Sequence, residues 1–201
     1  MAKLVVASRN EHKVKEIREI LGGQPWEILS LADFPQLPEV VEDQDTFVGN
    51  ALKKAKEIAA STGLLTLADD SGLEVDALDG RPGVYSARFA GPKATDGENN
   101  EKLLKLLADV PQEKRTARFR CVIAIAKPDG WSTYVEGHCR GVIGYAPAGS
   151  GGFGYDPLFY VPSLEKTFAQ LSPEEKNAIS HRGKALQAAV KVLAELAAQE
   201  S

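Results

Sequence analysis

The chain has 201 residues, 43% hydrophobic and 26% charged, with a formal net charge of −4. That length supports one domain with a substantial core, or two lobes sharing one sheet. The mild acidity, with no Lys/Arg run or basic tail, argues against a nucleic-acid polymer as the main partner, because backbone binding needs a basic surface. No stretch reaches the ~18 consecutive apolar residues of a membrane span. The early run Leu4-Val5-Val6-Ala7 is too short for a signal-peptide core, so a cytoplasmic enzyme is expected.

Lys3 to Ala7 reads as a buried strand. Ser8-Arg9-Asn10 then leads into a helix with apolar Val14, Ile17, Ile20 and Leu21, closed by Gly22-Gly23. Asn10 suits the N-cap, whereas Lys13 in the first turn opposes the helix macrodipole. A strand running directly into a helix N-terminus, with Ser, Asn and Lys at the junction, suits phosphate, although the glycines of a P-loop are missing; plain capping is the competing reading. Trp26 to Leu31 reads as a second strand and Phe34 to Asp45 as an irregular acidic loop. A helix from Thr46 to about Ser61 is stopped by Gly63.

The run Leu64 to Ala68 reads as a buried strand ending on Asp69-Asp70-Ser71-Gly72. Consecutive strand side chains point opposite ways, so the two carboxylates share a pocket only if the backbone turns, which Gly72 would allow. Paired acids at a strand end suit Mg²⁺, which takes one or two carboxylates plus phosphate oxygens; a simple polar turn is the alternative. Thr95-Asp96-Gly97-Glu98 is a capping box for a helix to about Ala108. Thr116–Ala126 and Thr133–Ile143 read as a hairpin around Pro128-Asp129-Gly130. Cys121 and Cys139 lie about equally far from that turn, and as reduced, buried thiols they fit a cytosolic chain. A glycine-rich loop, Ala148 to Pro157, carries Phe153, Tyr155 and Asp156, and precedes a short strand Leu158 to Val161. Ser172-Pro173-Glu174-Glu175 caps a short helix. Ser180-His181-Arg182-Gly183 opens the last helix, whose stripe Leu186, Val190, Leu193 and Ala197 is expected against the chain's own sheet.

Taken together, these stretches resemble the inosine triphosphate pyrophosphatase family, the Ham1-like purine nucleotide pyrophosphatases. The resemblance lies in Ser8-Arg9-Asn10 with Lys13; in Thr46-Phe47, Asn50-Ala51 and Lys54-Ala55; and in Ala68-Asp69-Asp70-Ser71-Gly72-Leu73. It continues through Pro82-Gly83-Val84-Tyr85-Ser86-Ala87-Arg88, Gly151 to Pro157, and Ser180 to Gly183, in family order over nearly the whole chain. It implies an α/β fold, with a long mixed central sheet flanked by helices, as one domain of two lobes with a cleft between them. It also implies Mg²⁺-dependent hydrolysis of ITP, dITP and XTP to monophosphate and pyrophosphate by a homodimer. A Maf-like pyrophosphatase for pyrimidine or modified nucleotides is the alternative enzyme. A nucleotide-binding regulator without turnover is the alternative of another class. Two positions depart from the family: Ser8-Arg9, where Thr-Gly or Thr-Ser is usual, and Gly49, where Glu is usual.

By this resemblance Asp70 is the catalytic acid, ligating metal and orienting or deprotonating the attacking water, with Glu42 the second metal ligand. Asp69 should point away and hold the turn. Ser8, Arg9, Asn10, Glu11, His12, Lys13, Lys54 and Ser71 would surround the phosphates. Phe153 would stack on the purine within Phe153-Gly154-Tyr155-Asp156. Asp156, His181 and Arg182 would read the base edge, and Lys176, which taken alone is a helix-surface charge, would touch substrate.

Overall fold

The computed structural model describes residues 1–199. Seven strands form one mixed sheet: β1 (Ala2–Val6), β2 (Trp26–Ser30), β3 (Leu65–Val75), β4 (Thr116–Ala126), β5 (Ser132–Ile143), β6 (Phe159–Val161) and β7 (Lys166–Thr167), in the order β2-β1-β3-β4-β5-β6-β7. β1 pairs parallel with β2 and β3, whereas β6 pairs antiparallel with β5 and β7. The helices are α1 (Glu11–Ile20), α2 (Phe47–Thr62), α3 (Asp96–Leu106), α4 (Pro173–Ile179) and α5 (His181–Gln199). The mixed α/β class expected from the sequence is therefore observed.

The chain divides into two compact units. The first comprises Met1–Asp70, Cys121–Gly137 and, among the described residues, 182–199; the second comprises Ser71–Arg120 and His138–His181. In the first, Leu4, Val6, Ile17, Leu67, Ile123 and Ile125 form a core with Leu186 and Leu193 of α5, so the α5 stripe does pack on its own sheet. In the second, Leu73, Val75, Leu103, Phe119, Phe159 and Phe168 make the core. Both cysteines are buried as thiols, outside any disulfide.

Helix boundaries follow the capping chemistry. Asn10 accepts from the backbone N–H of His12 and Lys13; Thr46 caps α2, and Gly63 ends it in the left-handed conformation. Thr95 with Glu98 and Ser172 with Glu175 form capping boxes. One expectation fails. β3 does not end at Ala68, because it runs on through Asp69-Asp70-Ser71-Gly72 to Val75. The apolar side chains of Leu73 and Val75 are fully buried, and Ser86 Oγ accepts the Leu73 N–H at 2.9 Å. These tertiary partners outweigh the turn preference of the local sequence. Asp69 accordingly holds no turn.

Candidate active site

Because β3 continues as a strand, Asp69 and Asp70 project to opposite faces. Asp69 Oδ1 accepts from Lys13 Nζ at 2.8 Å, and Asp69 Oδ2 from Arg182 Nε at 2.7 Å and Cys121 Sγ at 3.2 Å. Burial opposes its charge, but Arg182 and Lys13 hold its carboxyl well below the usual carboxylate range. Asp69 is thus kept ionised by its two cationic neighbours. Arg182 Nη1 also reaches Glu16 Oε2 on α1 at 2.6 Å.

Asp70 is in the reverse situation. Burial pushes its carboxyl up to about 6, although the charges of Lys54 and Lys13 work against that rise. Its Oδ2 is buried and accepts no hydrogen bond. Lys54 Nζ stands 3.7 Å from Asp70 Oδ1 and donates to Glu42 Oε1 and to the Asp69 carbonyl, each at 2.7 Å. Burial lowers the Lys54 ammonium's proton affinity, but Asp70 and Glu42 outweigh it and hold the group charged. Glu42 is brought here by α2. Lys53 Nζ donates to the Val41 carbonyl and to Asp43, while Asn50 exchanges two hydrogen bonds with the Gln44 backbone. Gly49 lies against this loop: a Cβ there would meet the Gln44 side chain at 2.9 Å and Thr46 Oγ1 at 3.0 Å. The departure at Gly49 is thus matched by a loop lying too close for a side chain.

The donor set fits a divalent cation that completes its shell with phosphate oxygens. Two carboxylates converge on one ammonium, and a buried carboxylate oxygen has no partner. Among the described residues no three His, Cys, Asp or Glu side chains form a closed cage.

The second unit carries the aromatic loop. Asp156 is buried, and its Oδ2 accepts from Lys176 Nζ at 2.6 Å and from the Phe153 N–H at 3.1 Å. A Cβ on Gly152 would run into that carboxylate, which explains the glycine. Lys176 Nζ stands 4.8 Å from the Phe153 ring centroid. His181 stacks on Phe119 with centroids 4.7 Å apart.

Of the expected metal ligands and phosphate-binding residues, Glu42, Asp70 and Lys54 come together, with Lys13 beside Asp69. Asn10 is spent partly on capping. Ser8 Oγ accepts the Asn10 N–H, and Arg9 donates to the Leu37 carbonyl. Glu11 and His12 are exposed on α1. Three expectations need correction. Arg182 is buried and its guanidinium is paired with Asp69 and Glu16, so in this structure it braces acids rather than reading a base. The Tyr155 side chain faces the core, its hydroxyl donating to the Ser86 carbonyl at 2.6 Å, so it anchors the loop and offers substrate no side chain. Lys176 is no surface charge, being 4% exposed. The partners of Glu16, Cys121 and Asn50 are not legible in the sequence, because each acts through a residue remote in the chain or through backbone atoms.

The model of the Ham1 family matches residues 4–192. The chain belongs to the Ham1 family. This Ham1-family chain is 59% identical over 191 residues to a dITP/XTP pyrophosphatase of Desulforamulus reducens, covering 95% of each chain. It is 58% identical over 186 residues to a dITP/XTP pyrophosphatase of Geobacter sulfurreducens, covering 92% of this chain and 94% of that one. Among solved structures, a HAM1 protein from Coxiella burnetii superposes with a TM-score of 0.88 at 44% identity, covering 97% of this chain and all of the other.

Proposed function

We propose that this Ham1-family chain hydrolyses dITP, XTP and ITP to the nucleoside monophosphate and pyrophosphate, removing non-standard purines from the nucleotide pool. The observation that carries the reading is the buried, unpartnered Asp70 Oδ2 beside Glu42 and Lys54. Its specificity part rests on the relatives' activity and on Phe153 with Lys176.

Glu42 and Asp70 would hold Mg²⁺, which when bound withdraws charge from the phosphate oxygens and acidifies water. Asp70 takes the proton of the attacking water as its oxygen bonds to the α-phosphorus. The bond from that phosphorus to the bridging oxygen breaks, and pyrophosphate leaves with the bonding electrons. A carboxyl raised toward neutrality by burial is a better base than an exposed aspartate. Lys54 and Lys13 neutralise the triphosphate, and the N-terminus of α1, with Ser8 and Asn10, donates to its oxygens. Phe153 stacks on the purine. The Lys176 ammonium at the ring gives a donor that favours a 6-oxo group and faces adenine's amino group donor to donor. The same reading takes the enzyme as a cytoplasmic homodimer.

Hydrolysis of dITP in ¹⁸O-labelled water tests the chemistry. The label is expected in dIMP, with pyrophosphate unlabelled. Label in a released phosphate, or dIDP as product, contradicts attack at the α-phosphorus.

A further inference from the structure

We infer that Asp96 and Asn100 of α3 are positioning residues that hold the base platform by clamping Gly154, the residue after Phe153. This rests on the reading of Phe153 as the platform for the purine. Asp96 Oδ2 accepts the Gly154 N–H at 2.8 Å, and Asn100 Nδ2 donates to the Gly154 carbonyl at 3.0 Å. One helix thus grips both peptide groups of a single residue. The two side chains are four positions apart, so they share a helix face. The bond to Asp96 is charge-assisted and the stronger kind.

The rest of the loop is tied down on either side, by Phe153 N–H to Asp156 and by the Tyr155 hydroxyl to Ser86. Gly154 itself sits at φ 61°, and its own conformational freedom is the largest of any residue type. Without the clamp it would be the pivot about which the Phe153 ring swings. The helix that grips it is itself fixed. Its N-terminus has a capping box, Leu103 is in the core of the second unit, and neighbouring Asn99 donates to the Ala87 carbonyl and accepts the Ala90 N–H. The Asn100 side chain is also wired at one end only: its Oδ1 is buried and accepts no hydrogen bond. A buried amide oxygen left unpaired is costly, and the donor to Gly154 is what offsets it. Asn100 is therefore kept for its NH₂ group alone, aimed at the platform loop.

The platform binds the base in ground and transition states alike, so loosening it should raise KM and leave kcat. The variants are Asp96→Ala, which removes one grip, and Asn100→Asp, which is isosteric but sets a carboxylate against the Gly154 carbonyl. Both are read by dITP kinetics and by amide hydrogen exchange of the Gly152–Asp156 segment. Expected are a KM roughly three- to tenfold higher, a kcat changed by no more than about twofold, and faster exchange at Gly154. Asp96→Asn, whose amide oxygen still accepts, should restore both readouts. Asp96 lies in the first turn of α3, so Asp96→Ala also weakens the helix end, whereas Asn100→Asp does not remove that charge. An unchanged Gly154 exchange rate in both variants overturns the proposal. So does an unchanged KM where Phe153→Ala raises it, or a fall in kcat at constant KM. If Phe153→Ala itself leaves KM unaltered, the platform reading fails and takes the clamp's role with it, a result separate from failure of the clamp alone.

Discussion

Asp69 and Asp70 are adjacent in one strand, yet Arg182 and Lys13 keep one ionised while burial raises the other to about 6. Asp70→Asn should lower turnover by ~10³-fold or more, since it removes both a ligand and a base. It should also stabilise the metal-free protein. A carboxyl raised in the folded state contributes stability below its unfolded value, near 4, and loses it as pH rises through about 6. Asparagine has no such loss. In EDTA, calorimetry should therefore find Asp70→Asn more stable at pH 8, by about 3 kcal/mol at most, with the advantage vanishing near pH 4. Parallel stability curves across that range would show that Asp70 is not desolvated in solution. Arg182→Ala should act differently, stranding two carboxylates and costing ~3–5 kcal/mol. Any loss of kcat/KM should then fall on ITP and ATP alike. A selective loss on ITP would return Arg182 to the base.

At the scale of elements, α2 is a scaffold for the acidic loop. Asn50, Lys53 and Lys54 hold residues 41 to 44, and with them Glu42. Asn50→Ala should free the loop, as should Gly49→Ala by pushing Gln44. The Mg²⁺ concentration for half-maximal activity should rise roughly three- to tenfold, with kcat at saturating Mg²⁺ changed by no more than about twofold. A fall in kcat that Mg²⁺ cannot recover would place these residues in the chemistry instead. Helix ends were legible in the sequence because caps are local: Asn10, Thr46, Gly63 and Ser172 each act within a few residues. The course of β3 was not legible. Asp-Asp-Ser-Gly has turn composition, and what straightens it is burial of Leu73 and Val75 and a bond from Ser86, all supplied by the fold.

For the whole molecule, the resemblance read from ordered motifs named the family and gathered Glu42, Lys54 and Asp70, as the structure does. It could not show who pairs with whom. Lys13 meets Asp69 across 56 positions and Arg182 meets it across 113, separations that no local window carries. The reassignment of Arg182 and the inward turn of Tyr155 follow from such long-range partners. The proposed activity is a Mg²⁺-dependent pyrophosphatase for 6-oxo purines outside the standard set. The most direct measurement is kcat/KM for pyrophosphate release from dITP, XTP, dATP and dTTP, with Mg²⁺ and with excess EDTA. Values for dITP and XTP should exceed those for dATP and dTTP by ~10²-fold or more, and EDTA should abolish release. Comparable rates on dATP or dTTP, or full activity in EDTA, would contradict it.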